Sequence, residues 1–128
     1  MADHAKRILI VEDNDTDVRL LKDILETRGY NILQTRDGLE AIELAVANLP
    51  DLILMDIQLP EISGLEVTRR LRGEERSHRI PIIAVTAFAM GWHEREALDS
   101  GCDAYIAKPI SIFGFFAYRR IVPVGIFH

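Results

Sequence analysis

Asp51-Leu52-Ile53-Leu54-Met55-Asp56 decides the fold: four consecutive apolar residues stand between two aspartates, with Pro50 before them and Leu59-Pro60 soon after. A run this short and this continuously apolar reads as a strand covered on both faces. Three further runs have the same form. Ile8-Leu9-Ile10-Val11 meets Glu12-Asp13, Ile82-Ile83-Ala84-Val85 meets Thr86, and Ala104-Tyr105-Ile106-Ala107 meets Lys108-Pro109. Each run therefore stops on, or just before, a residue able to handle a phosphoryl group.

Helical spacing fills the intervals. Residues 15–28 carry Val18, Leu21, Ile24 and Leu25 as one apolar stripe, and Gly29 follows where a left-handed helix end favours a residue without Cβ. Residues 31–36 read as a short strand. Residues 38–48 repeat the helical pattern through Leu39, Ile42, Ala45 and Val46 until Pro50 stops it. Residues 59–64 are loop chemistry, 65–72 a third helix, 74–79 a charged loop and 81–86 a strand. Residues 90–100 form a fourth helix closed by Gly101, and 105–108 a fifth strand. Five alternations of strand and helix predict an α/β parallel sheet with helices on both faces.

In such sheets ligands gather outside the carboxyl ends of the strands. Glu12, Asp13, Asp56, Thr86 and Lys108 should then share one crevice. A carboxylate accepts a phosphoryl group only if the charge of that group is neutralised, and Mg²⁺ in an oxygen cage is the usual agent. Glu12 and Asp13 supply oxygen charge, while Asp56 serves as ligand and nucleophile. The backbone carbonyl of Gln58 fits a remaining ligand position. Lys108 offers an ammonium and Thr86 a hydroxyl to phosphoryl oxygens. Each residue alone is ordinary turn or strand-end chemistry; the set, in this order, is what carries weight.

The chain has 128 residues, enough for one domain that buries roughly two thirds of its unfolded surface. A net charge of -5 without a basic stripe argues against nucleic acid as a partner. The lone Cys102 suits a reducing cytosol, and the four histidines have no metal-ligand spacing. No apolar stretch approaches the ~20 residues of a membrane span, and residues 1–7 lack a secretory segment, so a cytoplasmic protein without membrane contact is expected.

Val11-Glu12-Asp13-Asn14, Met55-Asp56-Ile57-Gln58-Leu59-Pro60, Ser63-Gly64, Val85-Thr86-Ala87 and Tyr105-Ile106-Ala107-Lys108-Pro109 together resemble the signature of response-regulator receiver domains. Residues 52–68 and 84–90, with Gly101-Cys102 and Lys108-Pro109-Ile110-Ser111, most resemble the single-domain, DivK-type cell-cycle regulators. The resemblance covers about residues 6–112. It implies a flavodoxin-like (CheY-like) sheet of five strands in the order 2-1-3-4-5. It also implies phosphorylation of Asp56 by a sensor histidine kinase or a phosphotransfer protein, with Mg²⁺ on Glu12, Asp13 and Asp56. Thr86 and Tyr105 match the family's switch pair, and Lys108 its phosphate-contacting lysine.

The resemblance ends after Ile112. Residues 111–128 contain no acidic residue and four of the chain's five phenylalanines, which leaves a fifth helix little polar face. A shortened or atypical helix is expected over about 111–121, and an apolar tail over 122–128, a departure that an altered reading frame would produce. One receiver domain over 1–128 is the expected organisation.

No effector domain is expected beyond the receiver, and the expected output is binding to a downstream protein. Phosphorylation draws Thr86 toward Asp56, and the Tyr105 ring turns into the vacated space. Trp92 on the fourth helix and Tyr105 on the fifth strand would then form a partner surface. Homodimer formation through that helix, that strand or the apolar tail is a further expectation. Phe88, two residues past Thr86, would tune the phosphoryl lifetime by excluding water. The chain is then no enzyme beyond slow self-catalysed phosphotransfer and autodephosphorylation. Two alternatives remain open: a phosphate-independent receiver-like module, and a Mg²⁺-dependent aspartyl phosphohydrolase, which would want a second Asp where Gln58 stands.

Overall fold

The computed structural model describes residues 6–87 and 91–108, the side chains of 91–93 excepted. The order of elements is β1 (Arg7–Val11), α1 (Asp15–Thr27), β2 (Asn31–Thr35), α2 (Gly38–Asn48), β3 (Leu52–Asp56), α3 (Gly64–Gly73), β4 (Ile82–Thr86), α4 (Gly91–Ser100) and β5 (Ala104–Ala107). All strand pairs are parallel, in the order β2-β1-β3-β4-β5. The expected α/β fold, its strand order included, is the one found. Boundaries differ from expectation by a residue or so at several ends. The expected helix over 111–121 and the tail beyond it lie outside the described residues.

The apolar runs hide an alternation that the sequence pattern does not display. Leu9, Val11, Ile53, Met55, Ile82 and Ala84 turn to one face, against Ala41 and Ala45 of α2, Val67 and Leu71 of α3 and Ala97 of α4. Ile8, Ile10, Leu52, Leu54, Ile83 and Val85 turn to the other, with Leu21 and Leu25 of α1. Both faces exclude water, so every position of β3 and β4 is buried. Each fully buried Ile or Leu contributes ~1.5–3 kcal/mol, which makes this sheet centre the rigid frame of the molecule.

Local signals place the helices on that frame. Asn14, Asp37 and Ser63 cap α1, α2 and α3 by accepting the backbone N–H of Asp17, Leu39 and Glu66. At the end of α1, Gly29 takes φ +89° while Tyr30 N donates to Leu25 O at 3.2 Å and Gly29 N to Glu26 O at 2.9 Å. That is the Schellman ending expected of a glycine there. Leu49, before Pro50, ends α2 in the left-handed region at φ 47°.

Two features outside the apolar pattern brace the ends of the strands. The Arg72 guanidinium donates to Gly101 O (2.8 Å), Ile80 O (2.7 Å), His78 O (3.1 Å) and Asp103 Oδ2 (3.0 Å), tying α3 to the loops flanking β4 and β5. Ser77, which the composition of 74–79 places in a charged loop, is fully buried and donates to Leu71 O at 2.6 Å. Among the described residues no helix is long and apolar enough to cross a membrane.

At the other end of the sheet, Gly64 opens α3 directly over the end of β3. Its N–H donates to Ile57 O at 2.9 Å, and a Cβ there would lie 2.1 Å from the backbone oxygen of Asp56. Backbone cannot yield as a flexible side chain does. Gly64→Ala is therefore expected to cost about 2–3 kcal/mol, measured by urea denaturation. The amide resonances of Asp56 and Ile57 should shift, whereas Gly73→Ala, which meets nothing within 4 Å, should leave both alone.

Candidate functional site

β1 and β3 are neighbours with Val11 opposite Met55, so Glu12 and Asp56 leave the sheet side by side. Both are buried, Glu12 at 2% and Asp56 at 5% exposure. β5 lies beyond β4, and its last residue is followed by Lys108, whose backbone N–H donates to Thr86 O at 2.7 Å. From there the lysine stem reaches back across the end of β4. Its ammonium stands 2.8 Å from Glu12 Oε1, 2.8 Å from Asp17 Oδ2 and 3.6 Å from Asp56 Oδ2. Three carboxylates thus surround one cation at the carboxyl end of the sheet.

The remaining oxygens are tied to backbone. Asp56 Oδ1 accepts the Gln58 N–H at 2.9 Å, and Glu12 Oε2 accepts the Asn14 N–H at 3.1 Å. These bonds hold the two carboxylates against rotation. Burial pushes the Asp56 carboxyl up to about 7; Glu12 adds to the rise, while the Gln58 N–H and Lys108 oppose it. Lys108 moves upward as well. Burial alone would lower it, but the bonds to Asp17 and Glu12 and the charge of Asp56 outweigh that. Burial leads the rise at Asp56, and the neighbouring carboxylates produce the rise at Lys108.

The sequence-derived set is brought together in part. Glu12, Asp56 and Lys108 meet directly, and Thr86 is fully buried at the end of the strand between them. Asp13 is exposed and makes no ion pair among the described residues. No three His, Cys, Asp or Glu side chains among the described residues converge as a ready-made metal cage. Gln58 is exposed, with its N–H turned to Asp56. Tyr105 is half-buried on β5, packed on the core, and its hydroxyl is shifted upward by burial and by the charge of Glu94. Phe88 and the side chain of Trp92 lie outside the described residues.

Asp17 is the member that reading the sequence missed. It belongs to the first turn of α1, where an acidic residue is ordinary helix chemistry. Its partner lies at the far end of the described chain, so spacing carries no signal of the pair. A pocket of about 340 Å³ adjoins the site on its β2 side, lined by Glu12, Thr35, Arg36, Asp37 and Glu40 among others. Thr35 hydrogen-bonds Glu40 there, and Arg36 pairs with Asp15.

Comparison with known proteins agrees with this geometry. The Response regulator receiver domain family matches residues 8–115. The polar-differentiation response regulator DivK of Brucella ovis is 55% identical over 107 residues, spanning 84% of this chain and 87% of that protein. A receiver domain of a sensor histidine kinase from Pseudomonas aeruginosa PAO1, with magnesium coordinated in its active site cleft, superposes with TM-score 0.82 and 34% identity over 92% of this chain and 98% of that one. A response regulator from Burkholderia pseudomallei, solved with a phosphorylated aspartic acid, calcium and citrate, gives TM-score 0.79 and 30% identity over 88% of this chain and 65% of that one. With more than half of its aligned residues shared with DivK and the receiver pattern spanning most of its length, the chain belongs to the response regulator receiver domain family of two-component signalling.

Proposed function

We propose that Asp56 is the phosphoacceptor of a DivK-type switch, charged by a histidine kinase or a histidine phosphotransfer protein. An Asp56 oxygen forms the new P–O bond as the P–N bond of the donor phosphohistidine breaks and the imidazole leaves. The single observation that supports this reading best is the ion cluster, a buried Asp56 beside Glu12 with the Lys108 ammonium 3.6 Å away. Lys108 takes a phosphoryl oxygen in this account and the Thr86 hydroxyl another. Tyr105 responds to the movement of Thr86, and the altered face of α4 and β5 binds a downstream protein. The chain makes no lasting chemical product of its own; its output is a change of partner.

The donor set suits a hard divalent cation. Glu12 and Asp56 are buried carboxylates, and burial first, then Glu12, raises Asp56. Asp13, exposed and next to Glu12 in the chain, adds a third, and the Gln58 carbonyl completes the protein ligands we assign. Mg²⁺ held by Glu12, Asp13 and Asp56 would neutralise charge on the transferring phosphoryl group. The chain's own residues do the rest: the Gln58 N–H orients Asp56, and burial keeps water from the acyl phosphate.

Three outcomes are expected. Incubated with Mg²⁺ and acetyl phosphate, the protein should gain one phosphoryl group by intact mass, and Asp56→Asn none; rapid turnover without accumulation would favour a hydrolase, and no labelling a phosphate-independent module. Millimolar Mg²⁺ should raise the unfolding temperature of the parent and not that of Asp56→Asn.

The third outcome concerns pH. The folded chain keeps the Asp56 proton up to about 7, whereas an unfolded aspartate loses it near its ordinary value. Between those limits unfolding releases a proton, so this group makes stability fall as pH rises and level off above 7. Without divalent cations, Asp56→Asn should therefore gain on the parent from pH 4 to pH 7, by on the order of 2 kcal/mol at pH 8. Urea titrations at pH 4.5 and 8 measure that difference; an equal difference at both would contradict it.

A further inference from the structure

The Lys108 ammonium has three N–H donors, and two of them are engaged at hydrogen-bond distance by Glu12 and Asp17. Asp56, at 3.6 Å, stands outside that range. Glu12 is fully enclosed and fastened by the Asn14 N–H, whereas the Asp17 side chain keeps 27% of its exposure. Asp17 is itself held in place, since its backbone N–H caps onto Asn14 Oδ1 at 3.0 Å. One carboxylate of the cluster is thus fastened and buried, and another, on an anchored backbone, is about a quarter exposed to water.

We propose that Asp17 is a positioning residue that holds Lys108 off Asp56 in the unphosphorylated protein and must release it for phosphorylation. The proposal rests on the reading of Asp56 as phosphoacceptor and deepens it by naming the competitor for the lysine. A phosphoryl group adds charge and three acceptor oxygens. The ammonium can turn to it only by leaving one of its two present partners. Asp17 is the one that yields, because water stabilises its freed carboxylate, while Glu12 stays enclosed and fastened by the Asn14 N–H. Asp17 therefore weights the equilibrium toward the resting state without touching the reacting atoms.

The test is a double-mutant cycle in the full chain: parent, Asp17→Asn, Lys108→Ala and the double variant. Each is incubated at saturating Mg²⁺ with acetyl phosphate, and acyl phosphate is followed over time by intact mass. Asp17→Asn should label about fivefold faster than the parent, the size expected when one partly exposed ion pair stops competing. In the Lys108→Ala background the same substitution should change nothing, because its effect passes through the ammonium. Equal or slower labelling of Asp17→Asn overturns the role of Asp17, and so does the same acceleration without Lys108. A parent that takes no label on Asp56 overturns the phosphoacceptor reading itself, and the role of Asp17 with it.

Discussion

Two carboxylates at the ends of adjacent buried strands cannot both stay ionised in a partly dry pocket unless a cation stands between them. Glu12 and Asp56 are in that position, and Lys108 is the cation the chain supplies. The rest of the architecture follows from keeping these groups together. β1 and β3 must be neighbours to bring the acids side by side, and β5 must lie close enough for a lysine stem to reach across β4. Thr86 sits buried at the end of the strand that this stem crosses.

The charge balance at this site is deliberately incomplete in physical terms. Three carboxylates meet one ammonium, and burial, with Glu12 beside it, leaves an Asp56 that gives up its proton reluctantly. Such a site is sensitive to any change in the charge around it. A fully neutralised site would be more stable and less responsive. The tight passage of Gly64 against the Asp56 backbone fixes where that carboxylate leaves the sheet.

Much of this was legible residue by residue. The runs ending at Val11, Met55, Val85 and Ala107 announced buried parallel strands, and the polar residues following them marked the carboxyl end of the sheet. Glu12, Asp56, Thr86 and Lys108 were legible because strand ends in a parallel sheet converge wherever the strands are adjacent. Gly29 and Pro50 marked helix endings through local backbone sterics. Asp17 was not legible: an acid in a first helical turn is ordinary, and its partner is remote in sequence. The latch of Arg72 and the burial of Ser77 escaped for the same reason, because both depend on carbonyls brought together only by folding.

Sequence by itself determined the kind of sheet, the order of its elements along the chain and the chemical types gathered at its carboxyl end. These are consequences of hydrophobic pattern and backbone sterics, which act over a few residues. Tertiary structure alone decided how the charges pair: which acid takes the lysine closely, which stands back, and which stays in water. Electrostatic pairing depends on distance and burial in three dimensions, and neither is written in the spacing of residues along a chain.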